Sequence, residues 1–364
     1  MVGSSSLNSH HEPVCQYPPS DSSSKQALST PTEREWFRIG ICDSVMPNWQ
    51  KIAQALTLIT MRIPIVLAFA AASLLAQGPP EEITVNLDGK PFTTFHAGTN
   101  ANKPYLAPLR SASGKIVTRG FPMENLPGES RDHLHHRGLW FSYDDVNGTK
   151  FWENDPSYTK PHMGKIVVRS ASLKEGKNSS TLTATMEWRN TEGKTLLIED
   201  RTMTFYPDPN LRTIDFRITL TAAEDVTFGD TKEGAFAIRL LDNFTERKGV
   251  KMVDADGRTG MAKVWGKRSN WVDYAGEVGG EKIGVAMFDH PSNPRHPTYW
   301  HARDYGLFAL NPFGRQAFDE TQAESQWKLP KGQKITFLWR VVIHAGDVET
   351  GHVADLYQKY ATTH

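Results

Sequence analysis

Residues 213–220 read Thr-Ile-Asp-Phe-Arg-Ile-Thr-Leu, and apolar and polar side chains alternate along the whole segment. A period of two residues is that of a β-strand with one face turned to a core and the other turned away from it. Residues 334–344 repeat this alternation near the end of the chain, from Ile335 to Ile343. The two segments predict a fold built from strands that share an apolar core.

Strand patterns of this kind fill the chain from about residue 82 onwards. Asp88-Gly89 is a tight hairpin signal, and it lies between two short strand patterns at residues 83–86 and 91–95. Turn clusters separate the next β-rich segments, which cover residues 165–173, 180–189 and 195–206.

The C-terminal segment is the one stretch with a clear helical period. Its apolar side chains fall at i, i+3, i+4 and i+7 and form one stripe: Val353, Leu356, Tyr357 and Tyr360. We therefore predict an all-β fold, in which residues 80–364 form a single large antiparallel β-sandwich that ends in a short helix.

Composition excludes several classes of function. The 364 residues carry 41 basic and 41 acidic side chains, so no net field attracts nucleic acid, and we expect no nucleic-acid partner. Cys15 and Cys42 both precede the strand-rich body, which excludes thiol catalysis and iron–sulfur clusters from that body. No Gly-x-Ser-x-Gly nucleophile elbow is present.

The region before the strands has the pattern of an export signal. Residues 61–77 begin with Met61, carry one early arginine and continue as a short apolar run that ends near small residues, which is typical of a signal peptide. Residues 1–60 are then either a disordered segment or an upstream extension created by an early start codon. We expect a periplasmic or secreted protein with no integral membrane association in its mature form. The alternative is a cytoplasmic tail followed by a short anchor helix.

Residues 131–140 read Arg-Asp-His-Leu-His-His-Arg-Gly-Leu-Trp, a density of imidazoles that indicates a site. On a strand, His133 and His135 would project from one face and His136 from the other. Two imidazoles with a carboxylate could hold a divalent metal, whereas one imidazole paired with a carboxylate could perform acid–base catalysis. The histidines could also be structural and donate to backbone carbonyls. We favour acid–base chemistry, with a metal as a less favoured alternative.

Three further segments are rich in polar and aromatic side chains: residues 230–239, 266–274 and 289–311. This mixture is typical of sugar-binding clefts, where aromatic faces stack on pyranose C–H groups and planar polar groups bind hydroxyls. We predict the catalytic candidates His133, His135, His136, Glu233 and Asp273. The predicted ligand-binding residues are Arg137, Trp140, Arg239, Trp271, Tyr274, His290, Asn293, Arg295, His296, Trp300, His301 and Arg303.

One pair of neighbouring carboxylates is excluded as a hydrolytic pair. Glu199 and Asp200 are adjacent in a predicted strand, so their side chains should project from opposite faces and cannot flank one bond.

Several motifs together resemble the secreted bacterial family carried under the label "methane oxygenase PmoA". The motifs are Asp132–Trp140, Lys267–Tyr274, Phe288–Arg295 and Asn311–Gly314. The label does not imply membrane methane oxidation, because a membrane monooxygenase subunit needs several apolar helices and this chain has one short apolar run. The resemblance implies a β-sandwich protein linked to glycan metabolism.

The predicted fold is also similar to the galactose mutarotase-like supersandwich, in which a histidine acid and a glutamate base act across a concave sheet. This likeness favours a carbohydrate enzyme of the epimerase, lyase or hydrolase type that binds a sugar or a small polar ligand. Two alternatives stay open: a carbohydrate-binding protein without catalysis, and a histidine-ligated metalloenzyme. The sequence specifies neither the substrate nor the oligomeric state.

Overall fold

The computed structural model describes residues 78–363, so the predictions for residues 1–60 and 61–77 lie outside the described part of the chain. The strands are β1 Glu82–Leu87, β2 Lys90–His96, β3 Tyr105–Leu106, β4 Leu139–Tyr143, β5 Lys165–Lys174, β6 Ser180–Arg189, β7 Thr195–Pro207, β8 Arg212–Ala222, β9 Val226–Phe228, β10 Gly234–Arg239, β11 Lys251–Asp254, β12 Trp271–Val278, β13 Glu281–Asp289, β14 Tyr299–Ala302, β15 Leu307–Asn311, β16 Trp327–Leu329 and β17 Lys334–Ala345. Short 3₁₀ turns at Asp242–Phe244 and Glu246–Lys248, one helical turn at Met261–Val264 and a C-terminal helix at Val353–Ala361 complete the secondary structure.

Two antiparallel sheets form the body. The seven-stranded sheet has the order β1-β2-β3-β4-β10-β15-β14, and the eight-stranded sheet has the order β11-β12-β13-β17-β8-β7-β6-β5. A small third sheet pairs β9 with β16. The prediction of an all-β antiparallel sandwich with a short C-terminal helix is confirmed. Within residues 78–363, no helix has the length and apolar character that a membrane crossing requires.

The strand periods read from the sequence match the structure closely. In β8 the four predicted core residues, Ile214, Phe216, Ile218 and Leu220, are all buried. The predicted hairpin joins β1 to β2, and both of its turn residues, Asp88 and Gly89, have positive φ. That conformation is the one that favours an Asp-Gly turn between antiparallel strands.

The core lies between the two sheets. Phe236 of β10 in the seven-stranded sheet contacts Phe216 and stacks on Trp339, and both of these rings belong to the eight-stranded sheet. The ring centroids are 4.7 Å and 4.9 Å apart, respectively. Aromatic contacts of this kind add to the hydrophobic gain from burial.

The predicted opposite orientation of Glu199 and Asp200 is confirmed. Glu199 points into the core, where it accepts a hydrogen bond from Trp188 Nε1 at 2.8 Å and forms an ion pair with Arg201 at 2.6 Å. Asp200 is exposed and bonds to Thr185. The sandwich therefore contains one buried ion pair on β7, at positions i and i+2.

The C-terminal helix covers part of the outer face of the eight-stranded sheet. Tyr357 and Tyr360 pack on Phe288, and Trp271 belongs to the same apolar cluster. The predicted apolar stripe of the helix is thus the surface that docks it to the sheet.

Candidate functional site

The histidine-rich stretch lies on the outer face of the seven-stranded sheet, away from the core. Trp140 of β4, Ala237 of β10 and Ala309 of β15 line this face and form a small apolar cluster with Trp152. Small residues on β10 and β15 leave room for the large rings that pack above them. We call His133, His135, His136 and His301 the histidine cluster. The last three contact Trp152, and His133 stacks on His136.

The local backbone differs from the strand that the spacing suggested. His133 has φ of 48°, and the backbone N–H of His136 donates to the carbonyl of His133 at 2.9 Å, which makes a turn. His133 therefore stacks on His136, with centroids 4.6 Å apart, and His135 meets both rings edge-on. The prediction that His133 and His135 share one face is wrong, because the segment is a turn and not a strand.

Gly138 brings this turn onto the sheet. Its φ is +52°, and a Cβ there would lie 2.1 Å from the carbonyl oxygen of Leu106. A residue with a side chain would meet both a strained backbone and a clash at this point. Glycine thus allows the histidine turn to enter β4 directly.

One carboxylate, Asp132, holds two buried guanidinium groups beside the cluster. It accepts hydrogen bonds from Arg119 and, at 3.0 Å, from Arg239, and its second oxygen is 3.1 Å from His133 Nδ1. The Arg119 and Arg239 side chains have no exposure, whereas that of Asp132 is 42% exposed. Burial and the neighbouring Arg119 charge lower the pKa of Arg239 to about 10.

Arg239 also connects this carboxylate to the ring stack. Its Nη1 is 3.4 Å from His136 Nδ1, and its guanidinium carbon lies 4.6 Å from the centroid of Tyr305. Since arginine only donates, His136 Nδ1 must be the acceptor and the proton of this imidazole resides on Nε2. Burial, followed by the charge of His135, holds the pKa of His136 well below its ordinary value, so the ring is neutral.

His301 of the histidine cluster and the neighbouring Glu233 form a candidate acid–base pair. His301 Nδ1 is 2.6 Å from the carbonyl of Lys232 and 3.8 Å from Glu233 Oε2, and its ring stacks on Trp152 at 6.4 Å. Donation to a carbonyl requires the proton on Nδ1, which leaves Nε2 as the basic nitrogen. Burial lowers the pKa of His301 to about 4, and burial raises the pKa of Glu233.

Burial also lowers the pKa values of two further groups in or beside the cluster. Burial lowers the pKa of His135 to about 2, and the charge of Lys103 acts in the same direction. Burial and then the charge of Arg137 lower the pKa of Lys103 to about 7, and its Nζ donates to the carbonyl of Trp152 and to Asn154. A low local dielectric therefore surrounds the whole cluster.

Trp140 and Trp152 lie beneath the histidine cluster and do not line its sides. Trp140 and Trp152 pack together at 5.1 Å, and both are buried. Within residues 78–363, neither indole nitrogen has a hydrogen-bond partner. Trp140 thus supports His136 from below and offers no free face, whereas Tyr158 and Tyr305 are partly exposed at the rim.

Two further arginines, Arg137 and Arg303, lie beside the histidine cluster. Arg137 forms an ion pair with Asp155 at 2.7 Å, and its guanidinium lies over Tyr105. Arg303 is half-buried and lies near Glu233. Its charge acts to lower the pKa of Glu233, whereas burial, which is the larger effect, raises that pKa. The structure therefore brings together most of the candidates from the first and second polar segments and the end of the fourth.

Asp273 is not part of this group. It lies on β12 of the eight-stranded sheet, fully buried, with its Oδ1 3.0 Å from His344 Nε2. The outer faces of the two sheets point in opposite directions, so Asp273 cannot act as the carboxylate partner of the histidine cluster. Sequence spacing gave no indication of which sheet β12 would join.

The other predicted aromatic platforms are also corrected. Trp271 packs under the C-terminal helix, and Trp300 lies in the core with its Nε1 bonded to the carbonyl of Ser269. Tyr274 is fully buried and donates to the carbonyl of Arg303. All three rings fill space between layers, so none can stack on a ligand.

Three polar candidates of the fourth segment stabilise the loop after β13. Asn293 bonds to Asp289 and to both backbone groups of Leu338, and His296 Nδ1 lies 2.9 Å from Asp289 Oδ2. His290 contacts Ser292 and packs against Tyr360. These contacts indicate structural roles. Arg295 lies elsewhere, with Arg268, in a separate cleft.

Sequence reasoning missed six residues of the site, one of which is Tyr158 at the rim. Trp152 and Asp132 lay in or beside the histidine-rich segment, and their proximity was a usable signal. Tyr305 follows Arg303 by two residues, which also places it near. Lys103 and Arg119 had no local signal, because β3 and the long connection to β4 bring them in from distant positions.

No group of three or more His, Cys, Asp or Glu side chains in the described chain is arranged to hold a metal ion. The imidazoles stack on one another instead of converging on a point. The arrangement that the structure does offer is a neutral imidazole beside a carboxyl group whose pKa is raised by burial, which suits proton transfer.

Comparisons with known proteins place this chain in a family. No curated protein matches it. Among solved structures it is similar to the α-galactosidase from Lactobacillus brevis, with 11% identity, a TM-score of 0.38 and coverage of 76% of this chain and 42% of that one. It is similar also to the GH36 α-galactosidase AgaA from Geobacillus stearothermophilus and to a β-arabinopyranosidase, each with 12% identity, a TM-score of 0.38 and coverage of 73% of this chain and 40% of the other. The chain thus spans less than half the length of these enzymes. The model of DUF6807, a family of unknown function, matches residues 82–358, and the chain belongs to this family.

Proposed function

We propose that the protein acts on a carbohydrate by acid–base chemistry at the histidine cluster, and that it does so outside the cytoplasm. His301 Nε2 would accept a proton from a sugar hydroxyl, and the Glu233 carboxylic acid would donate one to a ring or glycosidic oxygen. Epimerisation at the anomeric carbon uses this pair of transfers, whereas elimination would take the first proton from a sugar C–H group and hydrolysis would take it from water. Export is proposed from the pattern of residues 61–77 alone.

One observation supports the proposal: the environment moves the two pKa values in opposite directions. Burial keeps His301 neutral at pH 7, and burial favours the protonated form of Glu233. An imidazole whose pKa is lowered beside a carboxyl group whose pKa is raised is the division of roles that acid–base enzymes use. Glu233 Oε2 is 3.8 Å from His301 Nδ1, so the carboxyl group lies beside the imidazole whose Nε2 is the proposed base.

The rim supplies ligand contacts of the required type. Tyr305 and Tyr158 present partly exposed aromatic surface, and His133 and Arg303 present polar groups beside it. An aromatic face next to planar donors suits a pyranose, which has both C–H faces and hydroxyl edges.

The test is a glycan screen of the purified protein, read by NMR for product formation. Glu233→Gln and His301→Asn should each lower kcat by about 10²–10⁴-fold, since each removes one proton-transfer group. Glu192→Gln is the control, because Glu192 is exposed in the turn between β6 and β7. If both site variants turn over substrate at the wild-type rate, the proposal fails.

The binding-protein alternative has its own result in the same screen. A glycan that raises the melting temperature of the wild-type protein and of both variants, without any product, would favour binding without catalysis. In that case the rim would still be the ligand site, and His133→Ala should remove the thermal shift.

A further inference from the structure

A cleft lined by three arginines opens beside the proposed active site. It has a volume of about 450 Å³ and is lined by Arg268, Arg295, Arg315, Thr298, Tyr299 and Asn311, among others. We call it the arginine cleft. No acidic side chain of the described chain lines it.

The three guanidinium groups are held by neutral acceptors. Arg268 donates to the carbonyls of Pro297 and Arg295, at 2.7 Å and 3.1 Å. Arg295 donates to the carbonyl of Phe313 at 3.0 Å, and Arg315 donates to the side-chain oxygen of Gln322 at 3.0 Å. Carbonyl oxygens orient an arginine without cancelling its charge, so the cleft is positive.

The carboxylate near the cleft, Asp230, offsets these charges only in part. Asp230 uses both of its oxygens to accept backbone N–H groups from the loop that begins at Arg315. Across residues 78–363, no carboxylate lies within salt-bridge distance of Arg268, Arg295 or Arg315. Three cations around one concavity, with the nearby carboxylate Asp230 acting on Arg295, leave an excess of positive charge that a bound anion would relieve.

The arginines also keep donors available. Arg268 uses Nε and Nη2 for its carbonyl contacts, and Arg315 uses Nε and Nη2 for Gln322. In each case Nη1 makes no hydrogen bond within the described chain. Oriented guanidinium groups with a free N–H suit the planar oxygens of a carboxylate or the oxygens of a sulfate ester.

The cleft and the acid–base pair share one face and one segment. Tyr299 and His301 are two residues apart on β14, so both project to the outer face, roughly 7 Å from each other along the strand. The carbonyl of Thr231 accepts from Asn311 in the cleft, and the carbonyl of Lys232 accepts from His301 in the site. A molecule of about two sugar units could therefore reach both.

We infer that the arginine cleft binds the acidic group, a carboxylate or a sulfate ester, of a saccharide whose neighbouring unit reaches His301 and Glu233. This inference rests on the proposed function for its choice of a saccharide. It adds a substrate class, because neutral sugars would leave the cleft empty and its charges unpaired.

The experiment measures binding of three probes to the full protein by calorimetry: glucose, glucuronate and glucose 6-sulfate, each at low and at physiological salt. At least one of the two acidic sugars should bind at least tenfold more tightly than glucose. This difference in affinity should be smaller at physiological salt than at low salt. The acidic sugar that binds tighter identifies carboxylate or sulfate as the natural group. Equal affinity for all three probes overturns the inference.

Variants locate the binding. Arg268→Gln and Arg315→Gln should each weaken the acidic probe about tenfold or more, and Arg268→Lys should retain part of the affinity because it keeps the charge. Arg217→Gln is the matched control, since Arg217 is exposed on β8 in the other sheet. Both cleft positions are exposed, so the substitutions should not unfold the protein. Unchanged affinity in both Gln variants, or binding of inorganic sulfate as tight as that of the acidic sugars, overturns the inference.

The two proposals can fail separately. If Glu233→Gln keeps full turnover while Arg268→Gln weakens binding of the acidic probe, the cleft inference is supported and the acid–base assignment is wrong. If Glu233→Gln abolishes turnover while acidic and neutral sugars bind alike, the assignment stands and the cleft inference falls.

Discussion

Replacing Asp132 by asparagine should destabilise the protein far more than an ordinary surface change. Asp132 hydrogen-bonds to both Arg119 and Arg239, and the side chains of these two arginines have no exposure. Asparagine keeps the size and one acceptor oxygen but removes the charge, which leaves two buried cations beside neutral imidazoles. Removing one partner of a buried pair typically costs about 3–5 kcal/mol.

The expected magnitude is smaller than that figure because water reaches the carboxylate. The side chain of Asp132 is 42% exposed, so solvent already screens part of its attraction to the arginines. Backbone carbonyls of residues 121, 130, 132 and 133 also continue to accept from Arg119 in the variant. We expect Asp132→Asn to lower the free energy of unfolding by about 2 kcal/mol at pH 7.

Urea unfolding at several pH values checks both the size and the origin of this loss. Burial on its own would raise the pKa of Asp132, but the hydrogen bond from His133 and the charges of Arg239 and Arg119 outweigh it and hold the pKa well below its ordinary value. The stabilisation is therefore complete above pH of about 4 and is lost as pH falls towards the depressed folded-state pKa. The gap between the wild-type and variant proteins should shrink below that pH.

Asp256→Asn provides the matched control. Asp256 also pairs with an arginine, Arg258, but its side chain is 60% exposed. That variant should lose under about 1 kcal/mol. The reasoning is refuted if Asp132→Asn and Asp256→Asn unfold at the same urea concentration, or if the Asp132→Asn deficit is independent of pH.

Three further predictions follow from the structure. Gly138→Ala should lower the free energy of unfolding, measured in urea, by at least about 2 kcal/mol, because the new Cβ clashes and the backbone has positive φ. Gly193→Ala, where φ is also positive but the space is open, should lower the free energy of unfolding by about 1 kcal/mol in the same assay. Glu199→Gln should lower the free energy of unfolding by about 3–5 kcal/mol because it leaves Arg201 unpaired. The double variant Glu199→Leu with Arg201→Met should recover most of that loss in thermal melts. The catalytic rate should fall below about pH 4, where His301 gains a proton and can no longer act as a base. The rate should fall again at a pH above the raised pKa of Glu233, where this acid loses its proton. The Glu233→Gln variant should lack the alkaline fall.

The strands were predictable because their pattern is local. Alternation in β8 and β17 depends only on which face meets the core, and the Asp88-Gly89 turn depends only on its own backbone. Burial on one side of a sheet imposes the same period wherever the strand lies. The class of fold follows from a sufficient number of such segments.

The site was only partly predictable because strand order is not local. β4 pairs with β10, more than ninety residues further along, and this pairing sets Glu233 near the histidines. β12 pairs with β11 and β13, and these pairings place Asp273 in the other sheet. The large aromatic side chains were a second source of error. Trp271, Tyr274 and Trp300 look like ligand platforms in a list of residues, but a sandwich needs large rings between its layers.

The position of β17 has a consequence for the order in which the protein folds. β17 pairs with β13 on one side and with β8 on the other, so it joins a β11-β12-β13 group to a β5-β6-β7-β8 group. Until residues 334–345 have left the ribosome, each group has an open edge and an apolar face without its full cover. Such long-range pairing is slow and leaves edges available to other chains. The nascent chain must therefore wait for one of its last strands, and this interval is when it would depend most on chaperones.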